Sequence, residues 1–328
     1  MPLLIATDEA GYGPKLGPLV IVATAWQYDD SINAPKAFAN FGVPIDDPRC
    51  GSIRIDDSKR TFKRATTKNN GHIAVLDEVC QAASQWVGIV NPAAFFLDWL
   101  RCVALTDVAD AIRDPWFKND ELVSQTPDPA TNDRLVDHWS RPGVEMLAIG
   151  VRFLTPRCFN DAIDRGRNKA DLLTESTCGL AIQIASRCAG PVSKVVIASD
   201  RHGGRNFYAA ALQHASGGAS VKVLHEGKPS SHYELIGANG LDPSTIIDWS
   251  FTIGGDSFAP VAMSSMIAKW TRERAMADFN RYFANQMPSG TVLAPTAGYP
   301  SDADRFLTAI RNAGLRSAID DSVLIRKR

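Results

Sequence analysis

The sequence predicts a mixed α/β sheet covered by helices, and three observations predict it. Two strand-like apolar runs come first, Leu3 to Thr7 and Leu19 to Trp26, joined closely enough to suggest an antiparallel pair. Strand-like and helical periodicities alternate after them. The chain of 328 residues is 45% hydrophobic and 22% charged, which is ordinary for a globular protein and ample for a full core.

Each element follows from its local pattern. A Gly- and Pro-rich loop runs from Gly11 to Pro18. The segment from Ile53 to Lys68 is basic, with Arg54, Lys59, Arg60, Lys63, Arg64 and Lys68. Residues 73–88 read as a helix. Residues 90–145, rich in Pro and Trp and more acidic than basic, read as an insertion. Ala148 to Leu154 alternates as a third strand, and Ala170 to Ala189 is a helix with apolar Leu172, Leu173, Leu180, Ile182 and Ile184.

Val195 to Ala198 is a buried strand that ends at Asp200. Residues 203–245 carry a short helix, an extra strand and glycine turns. Thr245 to Ile253 is another strand, ending in Gly254-Gly255-Asp256. A long amphipathic helix starts near Ser257, with Pro260 tolerated in its first turn and Met263, Ile267, Trp270, Phe279 and Phe283 at helical spacing. Residues 1–89 and 146–316 form the expected catalytic core, with 203–245 partly inserted, and 317–328 are expected to be a loose tail.

Several function classes fall away. The formal net charge is −1, so a basic surface for nucleic acid would have to be local. No run of eighteen apolar residues occurs, so no membrane span is expected. The first residues run straight into acids and lack the pattern of a signal peptide. The six cysteines include no Cys-x-x-Cys pair, which fits free thiols in a reducing cytoplasm rather than a zinc site. No third glycine completes a dinucleotide fingerprint after Gly11-Tyr12-Gly13, and no phosphate-binding Gly-Lys-Ser/Thr loop is present.

Three strands end in acids: Asp8-Glu9, Asp200 and Asp256. Open α/β sheets place their ligand sites outside the carboxyl ends of strands, so acids distant in sequence converge there. Clustered carboxylates raise one another's pKa, and divalent metals resolve the repulsion. Two metals about 4 Å apart suit in-line attack by water on a phosphodiester. The alternative is that these acids are turn formers or helix caps, above all Asp256, which is followed by Ser257 before a helix.

The words around the acids resemble the type 2 ribonuclease H family. Asp8-Glu9-Ala10-Gly11-Tyr12-Gly13-Pro14, with Gly17-Pro18 following, is similar to that family's opening Asp-Glu-x-Gly-Arg-Gly-Pro and downstream Gly-Pro. Asp57-Ser58-Lys59 matches its Asp-Ser-Lys. A helix carrying Asn168 and a strand ending at Asp200 follow in the family's order. Gly255-Asp256, the Ala262 to Lys269 stretch with Arg272, and Gly298-Tyr299-Pro300 complete the set, which spans residues 3 to 312.

The resemblance implies a ribonuclease H-like mixed five-stranded sheet flanked by helices. It implies an endonuclease that hydrolyses RNA in RNA–DNA hybrids or cuts at ribonucleotides embedded in duplex DNA, using Mg²⁺ or Mn²⁺. Metal ligation and catalysis carry over to Asp8, Glu9, Asp200 and Asp256. The turn of Gly11, Tyr12 and Gly13 takes the role of sensing the ribose 2′-OH. Ser58 and Lys59 suit phosphate binding. Lys269 is placed beside the active site rather than in a surface pair with Glu273, and Tyr299 is a stacking candidate. His202 offers proton transfer or an ordinary solvated surface. The partner is nucleic acid, and the expected state is a cytoplasmic monomer.

The chain departs from the family at four places. Tyr12 replaces Arg, Glu273 replaces Asp, Thr296-Ala297 replace His-Lys, and 56 residues separate Asp200 from Asp256. Altered specificity on the same fold, or a catalytically silent nucleic-acid-binding protein, are the alternatives.

Overall fold

The computed structural model describes residues 1–56, 71–89, 96–104, 107–118, 129–141, 143–190, 194–315 and 319–327. Nine strands are seen among them: β1 Leu3–Ala10, β2 Leu19–Gln27, β3 Ile45–Asp47, β4 Gly51–Ile53, β5 Glu145–Leu154, β6 Lys194–Asp200, β7 Ser220–Glu226, β8 Ser230–Ile236 and β9 Ile246–Thr252. Seven form one mixed sheet in the order β5-β2-β1-β6-β9-β8-β7. β1 pairs antiparallel with β2 and parallel with β6, and β6 pairs parallel with β9.

The expected five strands are the β5-β2-β1-β6-β9 part of this sheet. The difference is the hairpin β7–β8, which adds two strands where the sequence indicated one. β8 alternates, burying Ser231, Tyr233 and Leu235 while the residues between them are half-exposed, as a strand covered on one face does. β7 is mostly exposed, so its apolar signal was weak.

Helices cover both faces. On one face helix Lys169–Cys188 buries Leu173, Cys178, Leu180 and Ile184 against Leu3, Ile5, Val195 and Ile197. Its start is fixed by Asn168, whose side chain accepts the Asp171 N–H at 2.9 Å. Gly150 on β5 lets it come close, since a Cβ there would meet Ile184 Cδ1 at 2.5 Å. On the other face lies helix Ala259–Asn285. Its small residues allow close packing: Ser264 Oγ donates to the Ala6 carbonyl at 3.0 Å and lies 2.9 Å from Thr24 Oγ1.

The described parts of 90–145 bury Phe96, Trp99, Trp116, Phe117 and Trp139 in that second core. Trp99 meets Trp270 edge-on with ring centroids 4.7 Å apart. The tail differs from expectation. Residues 319–327 are pinned, because Asn160 Nδ2 donates to the Ser322 and Ile325 carbonyls at 2.8 Å each, and the Arg326 N–H donates to Lys15 O at 2.9 Å. No described helix is long and apolar enough to cross a membrane.

Asp114 shows the cost of this packing. It is 1% exposed, and neither carboxyl oxygen has a hydrogen-bond partner among the described residues. Burial pushes it up to about 7, against the opposing charge of Arg157. Folding therefore retains a proton that the unfolded chain releases at its ordinary value, so stability falls as pH rises through that window and levels off above it. Asp114→Asn removes this dependence. Its stability relative to wild type is expected to improve by about 4 kcal/mol between about pH 4 and about pH 8, read from urea denaturation at each pH. A gap that stays constant with pH would show that Asp114 does not carry the buried proton.

Candidate carboxylate site

The site begins with strand register. Thr7 on β1 is the parallel partner of Ser199 on β6. Thr7 Oγ1 donates to Ser199 Oγ at 2.7 Å, and Trp249 Nε1 of β9 donates to the same oxygen at 3.0 Å. The next residue on each of the first two strands is an acid, so Asp8 and Asp200 sit side by side. β1 continues past Thr7 to Ala10, which places Asp8 and Glu9 inside the strand rather than after it. Successive side chains of a strand face opposite ways, so the two acids leave on opposite faces at one edge.

Asp8 is 8% exposed and is held by two donors, the Glu9 N–H at 2.7 Å and the Ser265 side chain. Burial pushes it up to about 7; the Ser265 bond works against this, the Asp200 charge adds to it, and Lys269 opposes it. Burial also holds Glu9 well above its ordinary value, reinforced by the charges of Asp8 and Asp200 and opposed by Lys269. Lys269 Nζ donates to Ser265 Oγ at 3.2 Å. Thus Asp8, Glu9, Asp200, Ser265 and Lys269 form one group. Glu273 instead lies against Arg272, 4.0 Å from its Nη1.

Asp256 reaches the same edge by a tight turn. The Gly255 N–H donates to Asp200 Oδ1 at 2.8 Å, and a Cβ on Gly255 would stand 3.0 Å from Asp200 Cα. Asp256 itself is buried within the turn Gly255–Ser257. The N-cap of helix Ala259–Asn285 is Phe258, so Asp256 is not that helix's cap. Asp256 lines an open groove of ≈ 360 Å³ together with Asp56, Ser257 and Phe258.

The glycine loop borders the group. Gly11 has φ +87°, and a Cβ there would meet Arg272 Nε at 2.6 Å, so only glycine fits. Tyr12 feels the charge of Glu9, and Lys169 Nζ lies 4.3 Å from its ring centroid. Gly13 is exposed and faces Tyr299, whose Cε1 is 3.7 Å from the glycine's Cβ position. Ser58 and Lys59 lie outside the described residues, as do Lys63, Arg64 and Lys68.

His202 corrects the sequence reading. It is 4% exposed, packed against Tyr208 and Phe251, with Nδ1 3.1 Å from Thr174 Oγ1. Burial pushes it down to about 3, with Arg205 adding to the effect, so it is a neutral core residue rather than a proton carrier or a solvated one. Ser265, which holds Asp8, was not singled out by the sequence, and neither were Lys169 and Arg326. Lys169 follows the predicted Asn168 directly, so position alone was the available signal.

All ligand atoms this group offers are carboxylate oxygens, the donors that Mg²⁺ and Mn²⁺ prefer. Buried, mutually repelling acids are also a setting that a cation would relieve. Yet among the described residues no three His, Cys, Asp or Glu side chains are arranged to hold a metal ion. Asp8 Oδ1 and Asp200 Oδ1 are both turned to backbone N–H donors, which accounts for part of this. The residues fit a divalent cation in chemistry.

No family model and no curated protein matches the sequence. Solved structures similar to the chain include RNase HII of Archaeoglobus fulgidus in its complex with PCNA, at 14% identity over 99% of this chain and 94% of that one, with a TM-score of 0.42. Ribonuclease H2 from Pyrococcus horikoshii OT3 is similar at 13% identity over 98% and 92%, with a TM-score of 0.42. Bst-RNase HIII in complex with Mn²⁺ is similar at 12% identity over 99% and 66%, with a TM-score of 0.38. The chemistry of the site rests on this chain's own residues.

Gly255→Ala tests the contact between the two acid-bearing turns. Its methyl would press on the Asp200 backbone, which cannot move without breaking β6 pairing, so a loss of about 1–3 kcal/mol in denaturant stability is expected. An unchanged denaturation midpoint would show that the turn does not seat on Asp200.

Proposed function

We propose that this chain is a metal-dependent endonuclease that hydrolyses the RNA strand of RNA–DNA hybrids or cuts at ribonucleotides embedded in duplex DNA. The observation that carries the reading is the grouping of Asp8, Glu9 and Asp200 at the carboxyl ends of the central strands β1 and β6, with Asp256 one residue from the Asp200 contact. The words around these residues, which resemble the type 2 ribonuclease H family, supply the substrate class.

Asp8, Glu9, Asp200 and Asp256 are the residues that would hold Mg²⁺ or Mn²⁺. When bound there, such cations supply Lewis acidity, which makes water a better nucleophile and offsets charge on the departing oxygen. The chain's own residues do the rest. Ser265 fixes the Asp8 carboxyl, and Lys269 balances part of the acidic charge that a phosphodiester must approach. Gly11 lets the loop lie against Arg272, and the exposed Gly13 keeps a Cβ out of the space where a ribose 2′-OH would be read. Tyr299, 43% exposed beside Gly13, would stack on a sugar or base.

One observation favours a second reading, a catalytically silent nucleic-acid-binding protein on the same scaffold: the Asp8 and Asp200 carboxylates are engaged by backbone donors. A cleavage assay decides. Wild type is given an RNA–DNA hybrid, duplex DNA with one ribonucleotide, and plain duplex DNA, each with Mg²⁺ and with Mn²⁺. Cutting is expected only where ribose is present, and Asp8→Asn and Asp200→Asn are each expected to lose at least about 100-fold, since cation catalysis contributes several kcal/mol. Hybrid binding without cleavage of any substrate would establish the silent reading.

A further inference from the structure

Across the glycine loop from the acids, three cations gather. Arg272 comes from helix Ala259–Asn285, Arg326 from the C-terminal segment, and Lys169 from the first position of helix Lys169–Cys188. Arg272 and Arg326 are each 4% exposed. Burial and the Arg272 charge push Arg326 down to about 9, and burial together with the Arg326 charge lowers Lys169.

Their donors are underused. Arg326 gives Nη2 to the Pro14 carbonyl and lies 5.3 Å from the Phe159 ring centroid, leaving Nε and Nη1 without an acceptor among the described residues. Arg272 gives Nη2 to the Leu16 and Ala297 carbonyls at 3.3 and 2.9 Å and leaves Nε without one. Glu273 is the carboxylate beside Arg272, and burial pushes it toward its neutral form. Buried charges without partners are costly, and a group of like charges short of counter-charge is relieved by an anion.

We propose that Lys169, Arg272 and Arg326 form an anion site that holds a backbone phosphate of the bound nucleic acid, other than the phosphate being cut, against the Tyr12–Gly13 turn. The occupant rests on the nuclease reading, because Tyr12, over whose ring Lys169 lies, also feels the charge of Glu9. The turn is open to such a group: Gly13 is exposed, and Tyr12 and Lys169 are half-buried. Lys169 makes the contact, helped by the positive end of its 20-residue helix. Arg272 and Arg326 lie deeper. They position the loop through its carbonyls and supply positive field beneath it.

The test has two arms. Hybrid binding is measured in chelator, where no cutting occurs, across a range of KCl concentrations, for wild type, Lys169→Gln, Arg326→Gln and Arg326→Lys. Each neutralised phosphate contributes about 0.9 to the slope of log affinity against log salt. Lys169→Gln is expected to lose about one contact of slope, Arg326→Gln to weaken binding with a smaller change of slope, and Arg326→Lys to keep both. Weaker binding with an unchanged slope in Lys169→Gln, whose side chain is half-buried, would overturn the phosphate contact. The second arm uses inorganic phosphate alone. It should raise the wild-type melting temperature above that in chloride of equal ionic strength, and Lys169→Gln should lose the increment. No increment in wild type overturns the anion site itself. An increment without any hybrid binding overturns the nucleic-acid occupant, and with it the nuclease reading, while leaving the anion site standing.

Discussion

Everything at the candidate site depends on how β1 and β6 are paired. The buried contact of Thr7, Ser199 and Trp249 fixes that pairing one residue before the acids. A slip of one residue would turn Asp8 to the other face and push a core residue into its place. Two residues of displacement would keep the faces but separate Asp8 from Asp200 by about 7 Å along the strands, too far for shared charge to matter as it does here.

The consequence is a polarised edge. Acids whose ionisation is opposed by burial stand on one side of the Gly11–Gly17 loop, and cations with unmet donors stand on the other. Gly11, with its positive φ, is the residue that lets the loop pass between Arg272 and the sheet. Each half is strained by its own like charges, and a phosphodiester with its counter-cations would satisfy both. The fold tolerates this arrangement because two thick apolar layers, one on each face of the sheet, supply the stability that the edge does not.

Much of this was legible in the sequence. The strands ending near Asp8, Asp200 and Asp256 were visible because buried strands in such sheets are short apolar runs, and the helix after Asp256 was visible from its period. What stayed hidden was set by partners distant in the chain. His202 has the same neighbours in sequence whether it is exposed or packed on Phe251; only the course of residues 203–208 and of β9 decides, and it decides for burial. One strand of the hairpin escaped because the edge strand β7, mostly exposed, is under no demand to alternate. Arg326 opens an ordinary basic stretch on paper, and nothing local announces that Asn160 and the Lys15 carbonyl will draw its segment inside.

That last contact imposes an order on biogenesis. Arg326 bonds the Pro14 carbonyl across 312 residues of chain. A ribosome adding roughly 5–20 residues per second delivers the arginine about 15–60 s after the loop it braces. Through that interval the nascent polypeptide can assemble β1 and β2, yet the glycine loop lacks one of its two guanidinium props. The molecule therefore finishes its loop late, and a ribosome stalled before Arg326 would leave a chain with most of its core and an unbraced loop.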